Sequence, residues 1–175
     1  MRPVAGIVAA MLTAMSPAAE PRTPRQPRLY WEDFPAGHAM EFGGLPVSRD
    51  AVLAFAQQFD PQPFHTDEDA AKASLFGGLC ASGWHTCAMA MRMMCDAYLL
   101  ESASLGSPGI DALRWLKPVF PGDTLRVRME VQEARPMNSR PGVGLVRSAW
   151  TVSNQRGEPV LTMEGWGMFR RRPAP

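Results

Sequence analysis

The sequence has almost no net charge. Its 175 residues include 18 lysine and arginine residues and 17 aspartate and glutamate residues, which leaves a formal net charge of +1. Nucleic-acid-binding domains usually carry an excess of basic residues, and disordered chains combine high net charge with few hydrophobic residues. Here 46% of the residues are hydrophobic. We therefore expect a folded chain of about one domain that has no nucleic-acid partner.

Cysteine is scarce, and its number is odd. Cys80, Cys87 and Cys95 are spaced seven and eight residues apart. This spacing fits neither a disulfide framework nor the paired cysteines of a zinc site. On a helix it would place all three side chains on one face. The pattern predicts free, buried thiols in a reducing compartment and no bound metal, with a catalytic cysteine as the alternative.

The sequence also lacks a hydrophobic run long enough to cross a membrane. Its N-terminal apolar run, residues 4–15, is shorter than the roughly 20 residues that a span needs. Residues 1–28 do have features of a secretory signal, with Arg2 ahead of the apolar run and small residues at 16–19. The absence of a disulfide pattern argues against export. We interpret residues 1–28 as a disordered or signal-like extension, or as the result of a start codon placed too far upstream, and expect a cytoplasmic protein, with export as the minority alternative.

A proline-rich segment follows the first predicted helix. Ser48 is a good N-cap, and apolar residues recur at helical spacing for about three turns after it. Pro61 disfavours helical geometry at Asp60, and Pro63 is expected to prevent the helix from restarting. The sequence therefore predicts that Asp60 ends a helix and leads through a rigid, extended loop to His65.

Two more helices are expected before the centre of the chain. Thr66 and Asp69 form a capping pair that predicts a short helix over 67–74. Ser82 is the expected N-cap of a long helix over 83–101, whose residues are apolar nearly all round. That pattern predicts burial on most sides, so this helix should form the centre of the domain.

The second half of the chain changes to β-strand character. A Gly-Ser-Pro-Gly turn is predicted at 106–109, and residues 29–48 are expected to form an arm over the core. After the turn, four segments alternate or are rich in β-branched residues, with turn residues between them. Consecutive hairpins give an antiparallel sheet. We therefore predict an α+β fold in which an antiparallel sheet wraps around the long central helix.

Asp60, His65 and Gly83 form a combination that suggests chemistry. Each residue alone has an ordinary structural explanation, since aspartate before proline is common in turns and glycine is tolerated at a helix start. Together they offer an acid, a base and the free N–H groups of a helix N-terminus, where glycine lets a ligand oxygen approach the backbone. We expect Ala at position 83 to leave the fold intact.

Three separated segments carry a resemblance to a known family. They are FAQQFDPQPFHTDEDAAKASLFGG, ASGWHT at 81–86 and KPVFPGDTL at 117–125. The chain resembles the MaoC-like dehydratases, or (R)-specific enoyl-CoA hydratases, of the hot-dog fold, and the resemblance spans residues 29–172. Asp60 and His65 stand at the family's two catalytic positions. Gln62 departs from the pattern, because many members have Asn between the two.

The resemblance implies a reaction and a set of roles. Water would add to a trans-2-enoyl-CoA thioester and give an (R)-3-hydroxyacyl-CoA. Asp60 and His65 would hold the water between them, and the Gly83 N–H would stabilise charge on the thioester oxygen. Coenzyme A would enter as part of the substrate, with no other cofactor. Arg140 is the candidate for binding its phosphates, in a loop region that Arg135 and Arg147 also border.

Other functions and residues stay open at this point. A hot-dog acyl-CoA thioesterase and a non-catalytic acyl-thioester binding module share the expected fold. Hot-dog proteins usually pair, so we expect a homodimer or higher homo-oligomer. His38 and His85 are interpreted as surface or core residues. The methionines at 89, 91, 93 and 94 are interpreted as core, with the lining of an acyl tunnel as the alternative.

Overall fold

The fold is a five-stranded antiparallel sheet with one long helix on it. The computed structural model describes residues 26–174. Its main elements are β1 (Ala39–Pro46), α1 (Arg49–Phe59), α2 (Pro63–Thr66), α3 (Glu68–Ala73), α4 (Gly83–Ala97), β2 (Ser104–Trp115), β3 (Thr124–Pro136), β4 (Val143–Ser153) and β5 (Pro159–Arg170). The strand order is β1-β3-β4-β5-β2. The predicted α+β class and antiparallel sheet are confirmed.

Alternating side chains build the core from the sheet side. In β3 the buried residues Leu125, Val127, Met129 and Val131 alternate with exposed ones. This period of two places one face of the strand inward and the other toward solvent. The buried residues belong to one hydrophobic cluster with four residues of α4, namely Met89, Ala90, Met93 and Met94. The sheet therefore fixes the position of α4, and with it everything attached to the helix N-terminus.

The central helix differs from the prediction in length and in burial. It ends at Ala97, and residues 99–101 form a separate 3₁₀ turn. Only one face is buried, since Trp84 and Met91 are 60% and 48% exposed. The sheet covers a single side of the helix within one chain, so the apolar residues on the other side face outward.

The first helix agrees with the prediction, but the proline segment does not. Ser48 Oγ accepts a hydrogen bond from the Ala51 N–H at 3.2 Å, and the helix ends at Phe59. The prediction that Pro63 prevents a new helix is wrong, because Pro63 begins α2. Proline is compatible with the first position of a helix, where its missing N–H would have no partner in any case. His65 therefore sits in a helical turn instead of an extended loop.

The cap of α3 is also shifted by one residue. Asp67 Oδ1 accepts from the Ala70 N–H at 2.8 Å, which makes Asp67 the N-cap in place of Thr66. Thr66 is the last residue of α2, and its hydroxyl donates to the Gln62 carbonyl oxygen at 3.2 Å. The hydroxyl is thus used by the turn before it, a turn that the sequence did not predict.

Two strand predictions need correction. The arm at 29–48 contains β1, which pairs with β3. The Gly-Ser-Pro-Gly segment at 106–109 is no turn between elements but lies inside β2. There the pairing with β5 shifts register, and Gly106 and Gly109 have φ of 98° and 152°. Glycine adopts these values without strain, so the strand continues through an irregular stretch.

The cysteines are free, but only two lie on α4. Cys80 precedes the helix, which begins at Gly83, so the expectation of one common face is wrong. The predicted extension falls outside the described residues except for 26–28, where the Arg28 N–H donates to the Glu101 carbonyl oxygen at 2.8 Å. Among the helices of residues 26–174, none has the length and apolar character needed to cross a bilayer.

Candidate active site

The three predicted site residues meet at one cavity. Its volume is about 580 Å³, and it lies at the N-terminal end of α4. The residues on which the chemistry depends are Asp60, Gln62, His65, Cys80, Ser82, Gly83, Trp115 and Lys117. They come from the end of α1, from α2, from the start of α4 and from the segment at the end of β2. The fold thus brings Asp60, His65 and Gly83 together.

His65 is fixed in one tautomer by the backbone. The ring is 6% exposed, and its Nδ1 lies 2.9 Å from the Cys80 carbonyl oxygen. A carbonyl oxygen only accepts hydrogen bonds, so Nδ1 must carry the proton. In the neutral ring Nε2 then has the free electron pair. Nε2 is the atom that faces Asp60.

Asp60 and His65 are close but not directly hydrogen-bonded. Asp60 Oδ2 lies 3.6 Å from His65 Nε2, beyond the usual range for a hydrogen bond between such atoms. With a neutral ring both atoms are acceptors. A molecule with two O–H donors can satisfy both at once, and water is the smallest that does so. The pair therefore has the geometry to hold one water.

Two side chains donate to the Asp60 carboxylate, one to each oxygen. Ser82 Oγ donates to Oδ2 at 2.7 Å, and Gln62 Nε2 donates to Oδ1 at 2.8 Å. These hydrogen bonds, that of Ser82 first, lower the pKa of Asp60 even though partial burial opposes the shift. The carboxylate form is therefore favoured. Sequence reasoning identified Ser82 only as a helix cap, because nothing local links it to a residue 22 positions earlier.

Gly83 offers a backbone donor at the cavity. It is the first residue of α4, and within residues 26–174 its N–H donates to no protein acceptor. The N-terminus of a helix carries partial positive charge, which favours an oxygen that gains negative charge. The arrangement can stabilise such an oxygen at the same cavity as the acid–base pair.

Trp115 lies against Gly83 and was missed by sequence reasoning. A Cβ built on Gly83 would lie 2.6 Å from the Trp115 indole, closer than real atoms approach. Ala at 83 would therefore require the half-exposed indole to move, and the expectation that the fold itself stays intact remains a prediction. Trp115 is 48% exposed and contacts Trp84 edge-to-face at 5.4 Å between centroids. No local signal in a strand indicates such a contact 32 positions away.

Arg140 lies far from the cavity within one chain. It is in the turn between β3 and β4. At that end of the sheet Gly144 and Ser104 both pair with Phe169, whereas Trp115, at the cavity end, pairs with Leu161. The two ends are separated by most of the length of β5. The structure thus does not bring Arg140 together with Asp60 and His65 in a single chain.

The other arginines near that turn have local partners. Arg147 forms ion pairs with Asp111 and Glu164 at 3.5 and 3.0 Å. Arg135 pairs with Glu133 at 3.1 Å, and its guanidinium lies 5.0 Å from the Trp166 ring centroid. Their charges are largely satisfied on the sheet surface.

His85 is buried, and of the four predicted core methionines those at 89, 93 and 94 lie in the core, whereas the prediction for Met91 is wrong because it is exposed. The His85 ring stacks on Phe55 with 4.7 Å between ring centroids. Burial lowers its pKa. His38 lies edge-on to Phe34 at 6.3 Å. Of the described residues that line the cavity, none is a methionine, so the tunnel alternative finds no support in a single chain.

These features define a hot-dog domain with an acid–base pair beside a helix N-terminus. The family model of the MaoC-like domain matches residues 33–152. The chain therefore belongs to the MaoC-like family, and the resemblance seen in the sequence is confirmed. The family includes (R)-hydratases, which supports a hydratase or lyase class for this chain.

Three known proteins illustrate the similarity. The MaoC-like dehydratase from Rhodospirillum rubrum is 42% identical, with a TM-score of 0.77 over 83% of this chain and 99% of that one. The R-hydratase PhaJ1 from Pseudomonas aeruginosa shares the fold, with 24% identity and a TM-score of 0.67 over 82% of this chain and 87% of that one. Mesaconyl-CoA hydratase from Cereibacter sphaeroides is 47% identical over 66 residues, 35% of this chain and 19% of that protein.

Proposed function

We propose that the protein is a hydratase that adds water to a trans-2-enoyl-CoA and forms an (R)-3-hydroxyacyl-CoA. The observation that carries the proposal is the Asp60–His65 pair, whose facing atoms lie 3.6 Å apart at a cavity that also exposes Gly83. Membership of a family that includes hydratases supports the same reaction type.

The reaction requires stabilisation of charge on the thioester oxygen, removal of a proton from water and delivery of a proton to the α carbon. The water oxygen attacks the β carbon of the thioester, which moves negative charge onto the carbonyl oxygen. The Gly83 N–H and the helix N-terminus stabilise that charge. One proton must leave the water and one must reach the α carbon. A group that accepts the first proton and passes it to the α carbon on the same face completes the addition of H and OH.

The hydrogen bonds divide the roles between the two residues. Asp60 is kept as a carboxylate by Ser82 and Gln62, so it is a weak proton acceptor that orients the water. His65 has its free electron pair on Nε2, because Nδ1–H donates to Cys80. We assign proton transfer from water to the α carbon to His65 Nε2, and orientation of the water to Asp60.

Only water and the thioester are consumed, so the proposed reaction needs no metal or redox cofactor. Coenzyme A enters as the carrier of the acyl group. Because acyl-CoA thioesters are made and used inside cells, we place the protein in the cytoplasm.

The exposed edge of β2 suggests how two copies would pair. The other edge strand, β1, is shorter, with 8 residues. β2 is 12 residues long and exposes Ile110 and Trp115, which are 53% and 48% accessible. We propose a homodimer in which the two β2 edges pair about a two-fold axis.

This pairing would also account for Arg140. Antiparallel pairing about the middle of β2 places the Trp115 end of one strand beside the Ser104 end of its partner. The turn that carries Arg140 lies at the Ser104 end. Arg140 of the partner subunit would then approach the cavity and could bind the phosphates of coenzyme A.

One assay separates the proposal from its two rivals. Crotonyl-CoA mixed with the pure protein should lose the absorbance of the enoyl thioester without release of free thiol. Thiol release would indicate a thioesterase. Binding with neither change would indicate a non-catalytic binding module and would contradict the proposal.

A further inference from the structure

Ser82 lies between the Asp60–His65 pair and the Gly83 N–H at the start of α4. We propose that Ser82 is a positioning residue that fixes the Asp60 carboxylate beside His65 and ties it to the N-terminus of α4. This inference rests on the proposed hydratase function and deepens it. Ser82 touches neither the proposed water nor the thioester, so it acts through Asp60.

The hydroxyl of Ser82 has a single proton and uses it on Asp60. Its Oγ donates to Asp60 Oδ2 at 2.7 Å and accepts from the Trp84 N–H at 3.2 Å. Ser82 is 0% exposed, so no solvent competes for either bond. A buried hydrogen bond to a charged group is among the stronger ones in proteins. The hydroxyl therefore caps the helix and holds the carboxylate at the same time.

The oxygen that Ser82 holds is the one that faces the histidine. Asp60 Oδ2 is both the acceptor for Ser82 and the atom 3.6 Å from His65 Nε2. Ser82 is also bonded directly to Gly83, the proposed oxyanion donor. Two consecutive residues thus set the distance between the group that orients water and the group that stabilises the thioester oxygen.

Gln62 provides a second, weaker support. It donates to Asp60 Oδ1, but its side chain is exposed, so water can replace its amide. We therefore expect the loss of Gln62 to have a smaller effect than the loss of Ser82. A larger loss of activity without Ser82 than without Gln62 would distinguish a buried positioning hydrogen bond from a general effect of any donor near Asp60.

The consequence should appear in the pH dependence. The other ionisable groups of the cavity are His65, which faces Asp60, the Cys80 thiol, and Lys117, whose ammonium pairs with Glu158 at 2.6 Å. None of them changes when the Ser82 hydroxyl is removed. Without that donor the carboxylate loses the hydrogen bond that lowers its pKa most, so the pKa of Asp60 should rise. The acid side of the kcat/KM profile should then move to higher pH.

The chain contains a matched control for the test. Ser48 caps α1 with the same kind of bond, from its Oγ to the Ala51 N–H at 3.2 Å, and it lies on the surface without an acidic partner. Glycine is a good N-cap, so Ser82→Gly and Ser48→Gly each remove a hydroxyl while preserving the helix start. Only Ser82→Gly also removes the donor to Asp60.

We expect Ser82→Gly to lower kcat/KM for crotonyl-CoA by about ten- to a hundredfold, mostly through kcat, and to shift the acid limb upward. Ser48→Gly should match the wild type, and Gln62→Ala should fall between the two. Ser82→Thr keeps the hydroxyl and should recover most of the activity. Equal profiles for Ser82→Gly and Ser48→Gly would overturn the proposal.

A second readout does not depend on turnover. Carboxyl NMR of the full chain labelled with ¹³C-aspartate, with Asp60 assigned from Asp60→Asn, should show Asp60 titrating at higher pH in Ser82→Gly than in the wild type or Ser48→Gly. An unchanged titration in folded Ser82→Gly would contradict the role of Ser82. A wild type that hydrates no enoyl-CoA would instead refute the hydratase function, while the titration would still decide whether Ser82 holds Asp60 in its ionised form.

Discussion

Helices α1 and α4 have the same kind of N-cap, but the two caps lie in different surroundings. Each starts with a serine whose Oγ accepts a backbone hydrogen bond at 3.2 Å, and the two caps differ in burial. Ser48 lies on the surface, and the acid in its first turn, Asp50, is solvent-exposed. Ser82 is fully buried and donates to Asp60 at a cavity. A serine N-cap therefore only caps the helix at α1, whereas at α4 it also belongs to the polar site. The difference comes from burial, because at a buried serine no water competes for the hydroxyl proton that is donated to the carboxylate.

The largest effect should come from the acid–base pair. Asp60→Ala and His65→Ala should each lower the hydration rate by at least about a hundredfold. The double variant should lose little more, because residues that act on one water are not additive. Asp50→Ala is the control at α1 and should leave the rate unchanged. The measurement is the rate of crotonyl-CoA hydration for each variant, with thermal melts to show that each variant is folded. Multiplicative losses in the double variant would mean that the two residues act separately.

The helix N-terminus at Gly83 should give the next largest effect. Gly83→Ala should reduce transition-state stabilisation by up to about 2.7–4 kcal/mol, because the Cβ displaces Trp115 and crowds the oxygen. The control is Gly78→Ala, where a Cβ would meet only Phe120 at an ordinary 3.8 Å.

A second variant separates the two causes at Gly83. Adding Trp115→Ala to Gly83→Ala relieves the collision with the indole. If activity returns fully, the loss came from Trp115 and not from a crowded oxyanion donor. Kinetics of the single and double variants decide this.

Lysine substitutions on the two edge strands of the sheet test the proposed dimer. Ile110→Lys on the β2 edge should convert the dimer to a monomer and lower activity, because buried charge opposes pairing and Arg140 of the partner subunit would be lost. Ala39→Lys on β1 should change neither property. Light scattering after gel filtration measures the mass. A wild-type monomer with full activity would refute the dimer.

A smaller effect is expected on the pH dependence of stability, through a contact between α1 and α4. His85 of α4 stacks on Phe55 of α1, and burial lowers the pKa of His85 in the folded state. The unfolded chain then binds the proton more readily, so this contribution to stability is present above pH of about 6.5 and is lost as pH falls toward the folded pKa. His85→Gln should reduce the dependence of Tm on pH in this range. The same slope in both proteins would assign the dependence to other groups.

The smallest effect should come from the N-terminal segment. A chain that starts at Gln26 keeps the Arg28 N–H contact with Glu101. It should therefore fold and react like the full chain. Aggregation or lost activity on truncation would show that the preceding residues contribute to the domain.

The sequence predicted the parts of the fold that depend on near neighbours. Ser48 and Ser82 were identified as caps, and the strand alternation gave the antiparallel sheet, because caps and side-chain periodicity act over a few residues. The start of α2 at Pro63 was missed, since a proline after a helix is compatible with both a loop and a new first turn.

The candidate site was predictable only in part. Asp60, His65 and Gly83 came from spacing and resemblance, and the fold brings them to one cavity. The Ser82–Asp60 bond and the Trp115–Gly83 contact join residues that are 22 and 32 positions apart. Such contacts depend on how elements meet in space. The exposure of one face of α4 likewise depends on which elements pack against the helix, which near-neighbour patterns do not encode.

The most direct test of the central claim is the product that the wild type and Asp60→Asn form from crotonyl-CoA in one assay. The account predicts that the wild type yields (R)-3-hydroxybutyryl-CoA and that Asp60→Asn, which keeps the shape but loses the charge, is at least about a hundredfold slower. Full activity in a folded Asp60→Asn protein, or an inert wild type, would contradict it.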